Sequence, residues 1–165
     1  MYEQRFMDRV IELSREAVER PGTQPFGALV VRDGEVVGEG LNHALAHNDP
    51  TAHGEVEAIR NACQRLQQPR LDGCVMYAIG EPCPMCTVAL RLAGIAHLYY
   101  GATHADASEA FAPLADTAFR DIGVEGLRVE AGKPIEERVL PASQHDRQAC
   151  AEVYNEWAGH QASQS

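Results

Sequence analysis

Tyr2, Phe6, Val10, Leu13 and Ala17 recur at spacings of four and three with charged residues between them, the period of an amphipathic helix. Pro21-Gly22 ends it. From Phe26 the pattern changes to an apolar run, Phe26-Gly27-Ala28-Leu29-Val30-Val31, then Asp33-Gly34, then Val36-Val37-Gly38, which predicts a β-hairpin. Gly27 either eases the packing of that strand or lets the backbone approach a ligand. Leu41-Asn42-His43 opens a polar loop, and Asn48-Asp49-Pro50-Thr51 turns the chain into a helix beginning near His53. Val56, Ile59, Cys63 and Leu66 form its apolar stripe, Glu57, Arg60, Gln64 and Arg65 its wet side, and Pro69 closes it. Val75 to Ile79 reads as a strand, Thr87 to Ala93 as a helix covered on most sides and ended by Gly94, and His97 to Tyr100 as a further strand. Thr103 to Thr117 reads as a long connection and Leu127-Arg128-Val129 as a weak strand. Gln148 to Trp157 reads as a closing helix with Ala149, Val153 and Trp157 on one side, and Gly159 to Ser165 as a frayed end. This order of elements predicts an α/β chain, a three-layer α/β/α sandwich around a central mixed sheet.

Composition narrows the choice of partners. At 165 residues and 45% apolar content the chain suits one domain over residues 1–165. A formal net charge of −10 and a pI near 5.1 weigh against a nucleic acid polymer and leave an uncharged small molecule unpenalised. The amphipathic start and the lack of a membrane-length apolar run predict no membrane association and a cytoplasmic location. Five cysteines, an odd number, do not make a disulfide framework. Cys63, Cys74 and Cys150 are expected to be packed thiols.

The remaining two cysteines carry chemistry. In Glu81-Pro82-Cys83-Pro84-Met85-Cys86, Pro84 suits the first position of a helix, which leaves Cys83 near the cap, where the helix dipole favours a thiolate. Two sulfurs do not complete a zinc site, and His53 is the candidate third ligand. His53 and Glu55, two apart, would point nearly opposite ways on a regular helix, so His53 is expected at the cap. One Zn2+ per chain held by His53, Cys83 and Cys86 keeps a fourth tetrahedral position open, the arrangement of a catalytic zinc. Glu55 would then manage protons, taking one from water and giving it to a substrate nitrogen and a departing amine. His53-Gly54-Glu55 followed by Pro82-Cys83-Pro84-Met85-Cys86 is the signature of zinc nucleobase deaminases. The competing readings are a structural zinc protein, to which Glu55 would be of no use, and a redox protein using Cys83 and Cys86.

Beyond these motifs the chain resembles the cytidine deaminase-like superfamily, and within it small bacterial guanine deaminases. Pro25-Phe26-Gly27-Ala28, Asn42, Asn48 to His53, Glu81 to Cys86, Ala105-Asp106-Ala107, and Glu136-Glu137-Arg138 before Pro141 carry the resemblance. It implies hydrolysis of guanine to xanthine and ammonia, with Asn42 hydrogen-bonding the base and Phe26 lining the pocket. Other bases or nucleosides of cytosine, triazine or guanosine type stand as alternatives, and a tRNA adenosine behind them. It also implies a homodimer in which the C-terminal helix, residues 143–158, exchanges between subunits. Ordinary readings remain beside these: Asn42 bonding its own backbone, and Phe26 and Trp157 packing in a core. Two departures stand out. Gly54 replaces the usual alanine, a change expected only to loosen a helix start. Phe111 to Asp116 replaces a Gly-Phe-Asp-Asp stretch whose acid contacts guanine, so Asp116, displaced, or Glu109 would take that part, and the choice of substrate turns on it.

Overall fold

The computed structural model describes residues 1–114 and 124–162. Its first unit, Met1–Leu127, is built on a four-stranded sheet of order β2-β1-β3-β4, with β1 Gln24–Arg32, β2 Glu35–Asn42, β3 Val75–Gly80 and β4 His97–Ala102. β1 runs antiparallel to both β2 and β3, while β3 and β4 are parallel, so the sheet is mixed as the sequence predicts. Asp33 and Gly34, both at positive φ, make the hairpin turn.

Alternation along the strands sorts side chains into two layers. Leu29 and Val31 of β1 and Tyr77 of β3 face α1 (Gln4–Arg15), packing on Phe6, Met7, Val10 and Leu13. Ala28, Val30, Met76 and Ala78 face the other way, onto α2 (Gly54–Leu66) and α3 (Pro84–Ala93). One helix on one face and two on the other make the three layers. Gly27 belongs to this packing: a Cβ there would come 2.7 Å from Ser14 Oγ, which in turn accepts the Gly27 N–H at 3.0 Å.

The α2 seam differs from the expected stripe. Gly54, Glu55, Ala58 and Ala62 are its buried residues, and Ile59, Cys63 and Leu66 are only partly buried at the flank. The reason is close approach. A Cβ at Gly40 of β2 would meet the Gly54 carbonyl oxygen at 2.2 Å and the Ala58 nitrogen at 2.3 Å, so only small residues fit where helix and strand touch.

Two segments fold otherwise than expected. Most of the anticipated connection from Thr103 is α4 (His104–Phe111), begun by a capping box in which Thr103 and Asp106 satisfy each other's backbone N–H groups. Leu127-Arg128-Val129 lies inside α5 (Val124–Ala131), not in a strand: three residues are too short a run to set a period, and Leu127 and Val129 are both exposed on that helix. In the second unit, from Arg128 onward, Glu130 accepts from Lys133 Nζ at 3.0 Å and from the Val139 N–H, and α6 runs Arg147–Ala162. Cys74 is buried and Cys63 partly so, but Cys150 is exposed and is not a packed thiol in the single chain. Among the described residues no helix is long and apolar enough to cross a membrane.

Candidate metal centre and active site

The topology gathers the chemistry at one edge of the sheet. β2, β3 and β4 run in one direction and β1 in the other, so Asn42, Gly80 and Ala102 end their strands beside the start of β1, where Phe26 sits at a register shift. Both helices that leave this edge begin there. His53 is the N-cap of α2 and Cys83 the N-cap of α3, each with extended backbone, and Pro84 occupies the first turn of α3.

These caps bring together groups thirty residues apart in sequence. His53 Nδ1 lies 3.6 Å from Cys83 Sγ and 3.6 Å from Cys86 Sγ. Zinc with bonds of about 2.3 Å to sulfur and 2.0–2.1 Å to nitrogen has tetrahedral S–N edges of about 3.6 Å, so the donors already stand at the corners such an ion needs. The protonation pattern fits a cation too. Hydrogen bonds from Cys86 and His53 hold the Cys83 thiol down to about 4 against the penalty of burial, while Cys86, which keeps its proton for Cys83, is pushed far up. His53 is raised, chiefly by its bond to Cys83. A thiolate held by two protons is what a dication would relieve of them.

Glu55, at the second position of α2, is 8% exposed. Burial pushes its carboxyl above the ordinary range, opposed by its own backbone N–H and assisted by the neighbouring Cys83 charge. It lines a cavity of about 20 Å³ together with Phe26, Gly27, Ala78, Ile79 and Glu81, room for about one water beside the carboxylate.

The other candidates separate. Asn42 is buried and its Oδ1 accepts the Ala44 N–H at 3.0 Å, the local turn that its ordinary reading describes. Phe26 lies against Phe111, ring centroids 5.5 Å apart, forming one wall of the cavity. Asp116 lies outside the described residues, and Glu109 is an exposed residue of α4. Gly54 does more than loosen a helix start, since a Cβ there would come 2.1 Å from the Phe26 carbonyl oxygen.

Sequence reasoning passed over the support of the cysteine turn. His104 Nε2 donates to the Pro82 carbonyl at 3.2 Å, the His104 N–H donates to Glu81 Oε2 at 3.2 Å, and the Glu81 N–H donates to the Ala102 carbonyl at 2.8 Å. The start of α4 therefore pins the residues that lead into Cys83. Thr103-x-x-Asp106 was the available signal, a capping pair three residues apart.

Residues 1–102 match the family described as the cytidine and deoxycytidylate deaminase zinc-binding region. The chain is 41% identical over 141 residues to a guanine deaminase of Bacillus subtilis, a match covering 86% of this chain and 84% of that protein. It is 44% identical over 97 residues to a tRNA-specific adenosine deaminase of Agrobacterium fabrum, covering 59% of this chain and 63% of that one. The X-ray structure of the Bacillus subtilis guanine deaminase superposes with a TM-score of 0.83 at 38% identity, over 96% of this chain and 95% of that chain.

Proposed function

The chain belongs to the cytidine and deoxycytidylate deaminase family, and from that premise we propose that it is a zinc-dependent hydrolase converting guanine and water to xanthine and ammonia. The observation that carries the reading is the cluster of one imidazole and two sulfurs beside a buried carboxylate. Zinc bound by His53, Cys83 and Cys86 would supply a Lewis acid that makes water nucleophilic at neutral pH. Glu55 takes the proton of that water as its oxygen bonds to the carbon bearing the amine. The same carboxyl passes the proton to the adjacent ring nitrogen. It then carries the second water proton to the exocyclic nitrogen as the carbon–nitrogen bond breaks and ammonia leaves. A carboxyl raised by burial suits a group that must both accept and return protons near neutrality.

Phe26 and Phe111 offer aromatic faces to a flat ring, and Asn42, at the same sheet edge, supplies amide chemistry for a base's edge. A purine needs more room than the present cavity, so the residues that line it, Phe26 among them, must move to admit it. Either Asp116 or Glu109 would serve as the acid toward guanine. The same reading makes the protein cytoplasmic, where reducing conditions keep Cys83 and Cys86 available for metal. It also makes the protein a homodimer with residues 143–158 exchanged, supported by a C-terminal helix whose Val153, Tyr154 and Trp157 are 60%, 74% and 66% exposed in the single chain.

Ammonia release measured over guanine, adenine, cytosine, their nucleosides and triazine analogues tests the substrate. Guanine is expected to be the best. Inert guanine with active cytosine would overturn the choice of base while leaving the deaminase chemistry standing.

A further inference from the structure

A second group of metal-type donors is made by the loop between Asn42 and His53 together with the first turn of α2. One ring nitrogen of His43, one of His47 and one carboxylate oxygen of Glu57 all lie within 4.8 Å of one another. We propose that these three side chains bind a second divalent transition-metal ion, independently of the His53, Cys83 and Cys86 centre.

Local backbone explains the geometry. The His47 N–H donates to the His43 carbonyl at 2.9 Å, so residues 43–47 close one helical turn and set the two imidazoles four apart on one face. Their rings are stacked, centroids 4.7 Å apart and 7° from parallel. Glu57 reaches them from the first turn of α2. The other end of the loop is fixed as well, because the His43 N–H donates to the Ala52 carbonyl at 2.9 Å.

The ordinary reading is a stacked histidine pair that only packs, and one atom tells against it. His43 Nδ1 is buried and has no hydrogen-bond partner, a cost that a native structure ordinarily relieves with a water or an ion. Two imidazoles and one carboxylate suit zinc, nickel or copper, whereas magnesium and calcium take oxygen donors. Tetrahedral zinc with bonds of about 2.0–2.1 Å needs donors about 3.3 Å apart, so the group must contract. His47, exposed on a turn, can make that movement.

Neighbouring charge does not forbid it. Arg60 Nη1 lies 2.6 Å from Glu57 Oε1, but that guanidinium is shared with Asp49 Oδ2 at 3.4 Å and with Thr51 Oγ1 at 3.2 Å. His43 and Glu57 also line an open cleft of about 300 Å³ through which an ion can enter. Bound there, the ion would tie α2 to the loop running from Asn42 to His53, bracing both ends of the segment that leads into the first centre.

The test is metal stoichiometry of the purified full chain by equilibrium dialysis against Co2+, read together with visible absorption. Thiolate-to-cobalt absorption reports only the cysteine centre, so the two sites are distinguished in one titration. The wild type is expected to bind two ions, and His47→Ala and Glu57→Gln one each, with the thiolate band unchanged as the control for folding. Saturation of the wild type at the single ion that produces the thiolate band would overturn the second site, and so would retention of two ions by both variants. Loss of the thiolate band with the second ion retained would count against the first centre and leave this one standing.

Discussion

Single residues at the junction of α2 with the sheet decide how the active edge is held. Gly40 sits where an added Cβ would meet three backbone atoms of α2, Gly54 O at 2.2 Å, Ala58 N at 2.3 Å and Glu57 C at 2.8 Å. Backbone cannot rotate away as a flexible side chain can, so helix and strand must separate. Gly40→Ala is therefore expected to destabilise the protein by about 1–3 kcal/mol, visible as a lower midpoint in urea at unchanged slope. A midpoint equal to that of the wild type would show that the seam has slack. Gly54 faces the same constraint from the Phe26 carbonyl, which links the helix start carrying His53 and Glu55 to the wall of the cavity.

The capping box of α4 supports the metal-binding turn from outside. Thr103 and Asp106 start the helix whose first residue, His104, holds Glu81 and Pro82. Asp106→Ala removes one half of the capping box, a loss of about 1 kcal/mol, or about 2–4 °C in thermal midpoint for a chain of this size. An unshifted midpoint would mean that the start of α4 carries no load. This helix also marks the limit of what the sequence discloses. α1, the β1–β2 hairpin, α2, β3, α3 and β4 were legible because their apolar residues repeat at one clear period and are punctuated by Pro, Gly and Asp. His53 and Cys83 were legible because both fall at helix caps that Thr51 and Pro84 announce, and Cys86 because it follows Cys83 by three residues, on the first turn of the same helix. α4 was not, since His104-Ala105-Asp106-Ala107-Ser108 offers no apolar stripe, and the Leu127 to Val129 triplet was too short to choose a period. The Gly54, Ala58 and Ala62 seam escaped for a related reason: small residues are buried by close approach, which a search for large apolar side chains passes over.

For the whole molecule, the −10 charge and the exposed apolar face of α6 point in different directions, toward a soluble surface and toward a partner for one helix. A second copy of the chain is the expected partner. Sedimentation equilibrium should return twice the mass of the 18.0 kDa chain, and Trp157→Glu, which places a charge on that face, should shift the equilibrium toward monomer. A wild type that sediments as a monomer at all concentrations would rule out the exchanged helix. A sheet edge and two helix starts bring three donors for a metal together next to a buried carboxylate. The most direct measurement pairs zinc content with ammonia release from guanine for wild type and Glu55→Gln. One zinc per chain in both, with turnover by the variant reduced by at least about 10²–10⁴-fold, is the predicted result. Full zinc with undiminished turnover in the variant would contradict it.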